Sequence, residues 1–218
     1  MKTIKLHPSK PDLKSLSEAA NIILNDGVIG YPTETVYGLG ANAFSSTAIE
    51  KIFQLKKREK GKPILIIDQD LEHVQKLVAS FPDIAFHLAR QFWPGPLTMV
   101  LNAAPYLNRE LLGYSNRIGI RVPGHTICLE LLKLCGVPIT STSANISGER
   151  NPTSAGEVLK NFGDKLDLII DGGKSMSQIA STVVSVEDDK IVLIREGAIS
   201  KQKIEKAIGN LVYEKKEQ

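Results

Sequence analysis

Cysteine is almost absent from this chain. Cys128 and Cys135, seven apart, are the only two in 218 residues. Their spacing fits no zinc motif, and they read as core or near-surface thiols. The four histidines, His7, His73, His87 and His125, are scattered without ligand spacing, so no metal site is assigned. Trp93 is the only tryptophan, able to stack on a base but more typical of core ahead of a turn. No apolar run approaches the length of a membrane helix, and residues 1–5 lack the apolar core of a signal peptide, so a cytoplasmic protein without membrane partners is expected. The phosphate-binding G-x-x-x-x-G-K-[ST] loop is missing. Gly38-Leu39-Gly40 lacks the third glycine of a dinucleotide fingerprint, and Ser141-Thr142-Ser143 is no nucleophile elbow.

What is present is enough apolar sequence, 42%, for a substantial core in one domain. Basic residues outnumber acidic ones 27 to 24, a net charge of +3 that permits anion binding without demanding nucleic acid. The division expected is an N-terminal extension over 1–11, a domain over 12–208 and a charged tail over 209–218.

The stretch 31–40, YPTETVYGLG, organises the rest. An apolar strand over 28–31 ends at Pro32 in a polar loop punctuated by glycines, either an ordinary turn or a ligand-holding strand end. A helix is expected over 12–25. A second has Thr47 and Glu50 at capping-box spacing and ends in Lys56-Lys57-Arg58, a cluster that also complements a helix C-terminus. A strand over 64–67, a helix capped by Asp70, a helix after Pro82 and a strand over 97–101 follow. Arg121 lies in an apolar strand over 118–122, as an edge residue or a buried anion ligand. A helix over 127–134 leads to a strand over 137–140 that empties into Ser141-Thr142-Ser143-Ala144-Asn145. Then come a helix over 154–161, a strand over 168–170, a hairpin over 182–195 and a last helix over 199–212. Hydroxyls and cations thus collect near element ends: Thr33, Lys56, Arg58, Arg121, Ser143, Asn145, Ser181 and Arg195. Such a set suits a polyanionic ligand.

Seven segments resemble the YrdC-domain family, the L-threonylcarbamoyladenylate synthases of tRNA modification. They are YPTETVYGLGAN at 31–42, the K-x-R of Lys56 and Arg58, WPGPLT at 93–98, IRVPGH at 120–125, PITSTSANISG at 138–148, STVV at 181–184 and LIR at 193–195. The resemblance implies a single-domain α/β fold: one twisted, mixed but mostly parallel sheet with helices and a concave basic face. It implies a nucleotidyltransferase that joins L-threonine, bicarbonate and ATP into threonylcarbamoyl-AMP and pyrophosphate, with Mg²⁺ expected on the phosphates. The product would serve N6-threonylcarbamoylation of adenosine 37 in ANN-decoding tRNAs through separate transferase proteins, with tRNA itself as a further candidate partner. Lys56 and Arg58 would be catalytic. Thr33, Arg121 and Ser181 would meet threonine and bicarbonate. Lys56, Arg58, Ser141, Ser143, Asn145 and Arg195 would hold the nucleotide.

The match has gaps. Glu59 stands where many members have proline, and Asp68 where a histidine often lies near threonine; Asp68 could meet the substrate ammonium or cap the next helix, the cap being favoured. Glu34 is not placed: a carboxylate among anions must orient donors, help bind a cation or face away. The sequence also ends without the C-terminal domain of the longer synthases, which implies the single-domain version. Two other readings stand beside the synthase. One is a non-catalytic double-stranded RNA, tRNA or ribosome-assembly module of the same fold, which calls for a wider basic field with exposed aromatics. The other is a carbamoyl-phosphate-dependent domain of hydrogenase maturation, which calls for zinc fingers this chain lacks.

Overall fold

The computed structural model describes residues 2–188, 190–209 and 212–214. The chain opens with strand β1 (Lys2–Lys5) and helix α1 (Leu13–Leu24), whose first turn is capped by the Asp12 carboxylate accepting from the Ser15 N–H. β2 (Ile29–Tyr31) and β3 (Gly38–Gly40) flank the polar loop, and α2 (Ser46–Lys56) follows. Ser45, not Thr47, caps α2: its hydroxyl accepts from the Ala48 N–H, so the helix begins before the expected capping box. β4 (Ile66–Ile67), α3 (Leu71–Lys76), α4 (Asp83–Phe92) and β5 (Leu97–Asn102) lead to α5 (Arg109–Leu112) and β6 (Arg117–Arg121). Then come α6 (Thr126–Cys135), β7 (Ile139–Thr140), β8 (Thr142–Ser143), α7 (Ala155–Phe162) and β9 (Leu168–Asp171). β10 (Thr182–Glu187) and β11 (Lys190–Arg195) form the expected antiparallel hairpin.

α8 (Lys201–Ile208) is shorter than expected. Gly209 takes the left-handed conformation that ends it, and Val212–Glu214 forms strand β12, parallel to β11, inside the stretch read as a tail. Residues 210, 211 and 215–218 of that tail lie outside the described residues. Residues 1–11, read as an extension, supply β1, which pairs with β9 and is part of the sheet.

Two mixed sheets result, ordered β1-β9-β2-β3-β8 and β12-β11-β10-β5-β6-β4-β7. The single, mostly parallel sheet of the sequence reading is therefore corrected. Among the described strands, five pairings are parallel and five antiparallel. The larger core joins both sheets, bringing Leu39 and Ile169 of one together with Met99, Ile120 and Val184 of the other. The smaller core lies where α1 and α6 cover the five-stranded sheet, with Leu16, Ile23, Leu131 and Ile170 buried. Cys128 and Cys135 are buried free thiols in α6, as read. Trp93 packs near Phe81, donates to the Leu97 carbonyl at 2.6 Å and is partly buried against the core. This packing brings the β2–β3 loop, the C-terminal end of β6, the β7–β8 segment and the start of β10 to one cavity.

Candidate functional site

Seven of the nine residues singled out in the sequence line one cavity of about 170 Å³: Thr33, Arg58, Arg121, Ser141, Ser143, Ser181 and Arg195. The other two, Lys56 and Asn145, line a neighbouring cavity of about 450 Å³. Arg58 and Ser143 belong to both, so they mark the junction. The small cavity also has apolar wall, from Val36, Pro63, Leu65 and Ala180.

Each side chain is held by local structure. Ser181 ends the loop into β10, and its hydroxyl lies 3.0 Å from that of Thr98 on β5. Arg195 closes β11 and donates to the Ser181 carbonyl at 2.9 Å. Its pKa is lowered by burial and by the guanidinium of Arg121. Two arginines repelling one another across a polar cavity form a site that an anion would relieve. Arg58 donates to the Pro63 carbonyl at 2.9 Å, while its Nε is buried without a protein partner.

Arg121 is buried, not an edge residue. Its Nη1 lies 2.7 Å from Glu34 Oε1 and 3.5 Å from Thr35 Oγ1. This places the carboxylate that the sequence left without a role.

Two expected contacts are already committed within the protein. The Thr33 hydroxyl donates to the Val36 carbonyl at 2.6 Å and accepts from the Thr35 and Val36 N–H groups, closing the loop on itself. The Lys56 ammonium, 2% exposed, donates to the backbone oxygens of Ser143 and Asn145 and to Asn145 Oδ1. Burial, then the charge of Arg58, moves its pKa down to about 7. Ser143 in turn donates to Asn145 Oδ1, so α2 and the segment after β8 are tied into one unit.

Asp68 is not a helix cap. Asp70 caps α3 through the His73 N–H, while Asp68 is buried beside β4, accepts from Gln69 N–H at 2.7 Å and has its pKa raised to about 6 by burial. It does not line the small cavity.

Sequence reasoning missed Tyr37 and Asn151, both on the cavity wall. Tyr37 was in view within the opening stretch; its hydroxyl donates to the Gly173 carbonyl at 2.6 Å and accepts from Gly172 N–H at 3.3 Å. Asn151 is a polar residue just ahead of Pro152, after the hydroxyl-rich segment, a local signal that could have drawn attention to it. Among the described residues, no group of three or more His, Cys, Asp or Glu side chains is placed to hold a metal ion, and no helix is long and apolar enough to cross a membrane.

The model of the Sua5/YciO/YrdC family, described as telomere recombination, matches residues 21–197. A threonylcarbamoyl-AMP synthase of Pyrococcus abyssi is 40% identical over 193 residues, covering 88% of this chain and 57% of that protein. A putative threonylcarbamoyl-AMP synthase of Methanocaldococcus jannaschii is 40% identical over 182 residues, covering 84% of this chain and 85% of its own. The crystal structure of P. abyssi Sua5 complexed with L-threonine superposes with a TM-score of 0.94 at 37% identity, over 98% of this chain and 63% of that one. The chain thus spans somewhat over half the length of the P. abyssi relative.

Proposed function

The chain belongs to the Sua5/YciO/YrdC family, and from that membership we propose that it is an L-threonylcarbamoyladenylate synthase, forming threonylcarbamoyl-AMP and pyrophosphate from L-threonine, bicarbonate and ATP. The observation that carries the reading is the pair of adjoining cavities that share Arg58 and Ser143. One is small, partly apolar and lined by three arginines, Arg58, Arg121 and Arg195. The other is larger and bordered by Lys56, Lys57, Arg58 and Lys62, within the size range of small-molecule sites.

Threonine takes the small cavity, its carboxylate at Arg121 and its methyl against the apolar wall. That methyl is the whole difference from serine, worth about 1–3 kcal/mol, so only modest discrimination is expected. The triphosphate lies along the larger cavity, with Ser143 and Asn145 beside it and its magnesium carried in with the nucleotide. The threonine amine adds to bicarbonate and water leaves, giving a carbamate, and a carbamate oxygen displaces pyrophosphate from the α-phosphorus. Both steps concentrate negative charge where the cavities meet. Arg58 stands at that junction with an unpartnered Nε, and Arg195 borders the small cavity. Preorganised cations at such a point are worth about 10²–10³ in rate each. Lys56 supplies charge and fixes the Ser143–Asn145 segment; its own N–H groups are spent on that segment.

The cations around both cavities constitute the basic concave face of this reading. The adenylate would pass to separate transferases for N6-threonylcarbamoylation of tRNA adenosine, with tRNA as a further candidate contact. The test is threonine-dependent pyrophosphate release from ATP and bicarbonate by the purified protein, across several magnesium concentrations. Release is expected; its absence overturns the reading. RNA binding that weakens steeply with salt, without turnover, would favour the RNA-binding module instead.

A further inference from the structure

We propose that Glu34 is a positioning residue that holds Arg121 for the carboxylate of the amino-acid substrate, a role that rests on the synthase reading. Glu34 lies in the loop after β2 and does not itself line the cavity. Its carboxylate reaches Arg121 Nη1 at 2.7 Å, and the two side chains are 13% and 5% exposed. Thr35 Oγ1 sits 3.5 Å from the same nitrogen. Among the described residues, Arg121 Nε and Nη2 have no protein hydrogen bond, and neither is a buried unpartnered atom. One nitrogen of the guanidinium is therefore tethered while the edge formed by Nε and Nη2 stays open. That edge presents two parallel N–H groups, matching a carboxylate in a bidentate pair.

The form of the contact separates positioning from plain stabilisation. Arginine–carboxylate pairs are frequently bidentate, with both carboxylate oxygens on two guanidinium nitrogens. Here a single nitrogen is used, and Glu34 Oε2 is left buried without a partner. The pair gives up its second hydrogen bond, and the free edge of Arg121 is what remains available. The charge arrangement points the same way. Without Glu34, Arg121 would be a buried cation facing Arg195 with no anion until substrate arrives, and a flexible side chain under that repulsion would not keep one orientation. With Glu34 the pair is neutral, and Arg121 is fixed before the substrate binds, which lowers the ordering cost of binding. Glu34 also acts on three other titratable groups: its charge adds to burial in raising the pKa values of Tyr31 and Cys128, and it opposes the burial that holds down the pKa of His125, whose Nδ1 is buried without a partner.

Glu34→Gln tests this, because it keeps the side-chain shape and removes the charge. In pyrophosphate-release assays KM for threonine should rise about tenfold or more while KM for ATP stays within about twofold of wild type. L-threoninol, which lacks the carboxylate, should bind wild type and the variant equally in calorimetry. The double variant Glu34→Gln, Arg121→Gln should be no worse than Arg121→Gln alone. An unchanged threonine KM, an equal rise in both KM values, or additive losses would each overturn the inference. If Glu34→Gln does not fold, Glu34→Asp serves, with the same threonine-specific rise at smaller size expected and its absence decisive. Wild-type enzyme without threonine-dependent turnover would overturn both this role and the synthase reading. Wild-type turnover with an unaffected variant would overturn this role alone.

Discussion

The Lys56 ammonium lies 2.6 Å from the backbone oxygen of Asn145 and 3.2 Å from the same residue's Oδ1, with the backbone oxygen of Ser143 as its third acceptor. An ammonium has three N–H groups, and all three are used. Lys56 is thus a clamp between the end of α2 and the segment after β8. The clamp is doubled by the Ser147 N–H, which donates to the Lys56 carbonyl at 3.0 Å. Burial disfavours the charge, while three oxygens at hydrogen-bond distance favour it. Arg58, two residues on, differs in kind: one bond to Pro63 holds it, and its Nε has no partner in the protein.

The two members of the K-x-R element should therefore fail differently. Lys56→Met removes three hydrogen bonds; the Ser143 carbonyl keeps the Asn145 N–H and Asn145 Oδ1 keeps the Ser143 hydroxyl, but the Asn145 carbonyl loses its donor, so the variant should lower stability by about 1–3 kcal/mol as well as reducing turnover. Arg58→Ala should leave the unfolding midpoint near wild type and reduce kcat by about 10²–10³. Denaturant unfolding of both variants beside steady-state pyrophosphate release checks the contrast. Equal midpoints for the two would remove the clamp from the account.

Arg195→Ala should show the signature of relieved repulsion. Arg121 and Arg195 oppose one another across the small cavity. The variant is expected to unfold no earlier than wild type without ligand, and to lose activity. Pyrophosphate or sulfate should raise the melting temperature of wild type more than that of the variant, since an added anion then has one cation fewer to meet. A thermal shift equal in both proteins would mean that the anion binds elsewhere.

Asp68 makes a prediction with a definite sign. Burial raises its folded pKa to about 6 from an ordinary value of 3.8. Between those two values the folded state binds more protons than the unfolded state, so its contribution to stability is present below the lower value and lost as pH rises through about 6. Asp68→Asn keeps the oxygen that accepts from Gln69 and removes the titration. It should be more stable than wild type at neutral pH by about 3 kcal/mol, and the difference should close in acid. Urea unfolding of both proteins across that pH range measures it; a difference independent of pH would show that burial of the charge is not the cause.

Much of the site was legible because its residues sit at element ends that the local sequence announces. Asp12 and Asp70 cap helices as their side-chain chemistry dictates, the loops at Thr33 and Ser141 follow strands ended by a proline or a hydroxyl residue, and Ser181 stands just ahead of β10. The partners inside the site were not legible. Glu34 and Arg121 are 87 positions apart, and only the packing of β6 beside the β2–β3 loop brings them together. The same holds for Lys56 and Asn145, separated by 89 positions. Sheet direction was misread for a related reason. Short strands such as β4, β7 and β8 carry too few residues for alternation to show which neighbour they take. The end of α8 could have been placed better, since Gly209 is a recognisable helix stop and the apolar Val212 beyond it belongs to β12.

Tyr37 offers the most discriminating variant at the cavity wall. Its hydroxyl donates to Gly173 and accepts from Gly172, tying the segment before Ser181 to the loop that carries Thr33 and Glu34. Its ring is buried, and burial raises the phenol pKa to about 12, so it remains a neutral donor throughout the assay range. Tyr37→Phe retains the ring and removes only this tie, leaving the Gly173 carbonyl without that donor. The cost to stability should be about 1 kcal/mol. The larger consequence should be kinetic, because Ala180 and Ser181, at the far end of the released segment, form part of the small cavity. Loss of pre-ordering there should raise KM for threonine several-fold, about 1 kcal/mol of binding, with little change in KM for ATP. Backbone hydrogen exchange should quicken over residues 172–181 in the variant and remain unchanged in α2. If exchange quickens while the threonine KM does not move, the segment is tied down for stability alone, and Ser181 owes its placement to Thr98 and Arg195.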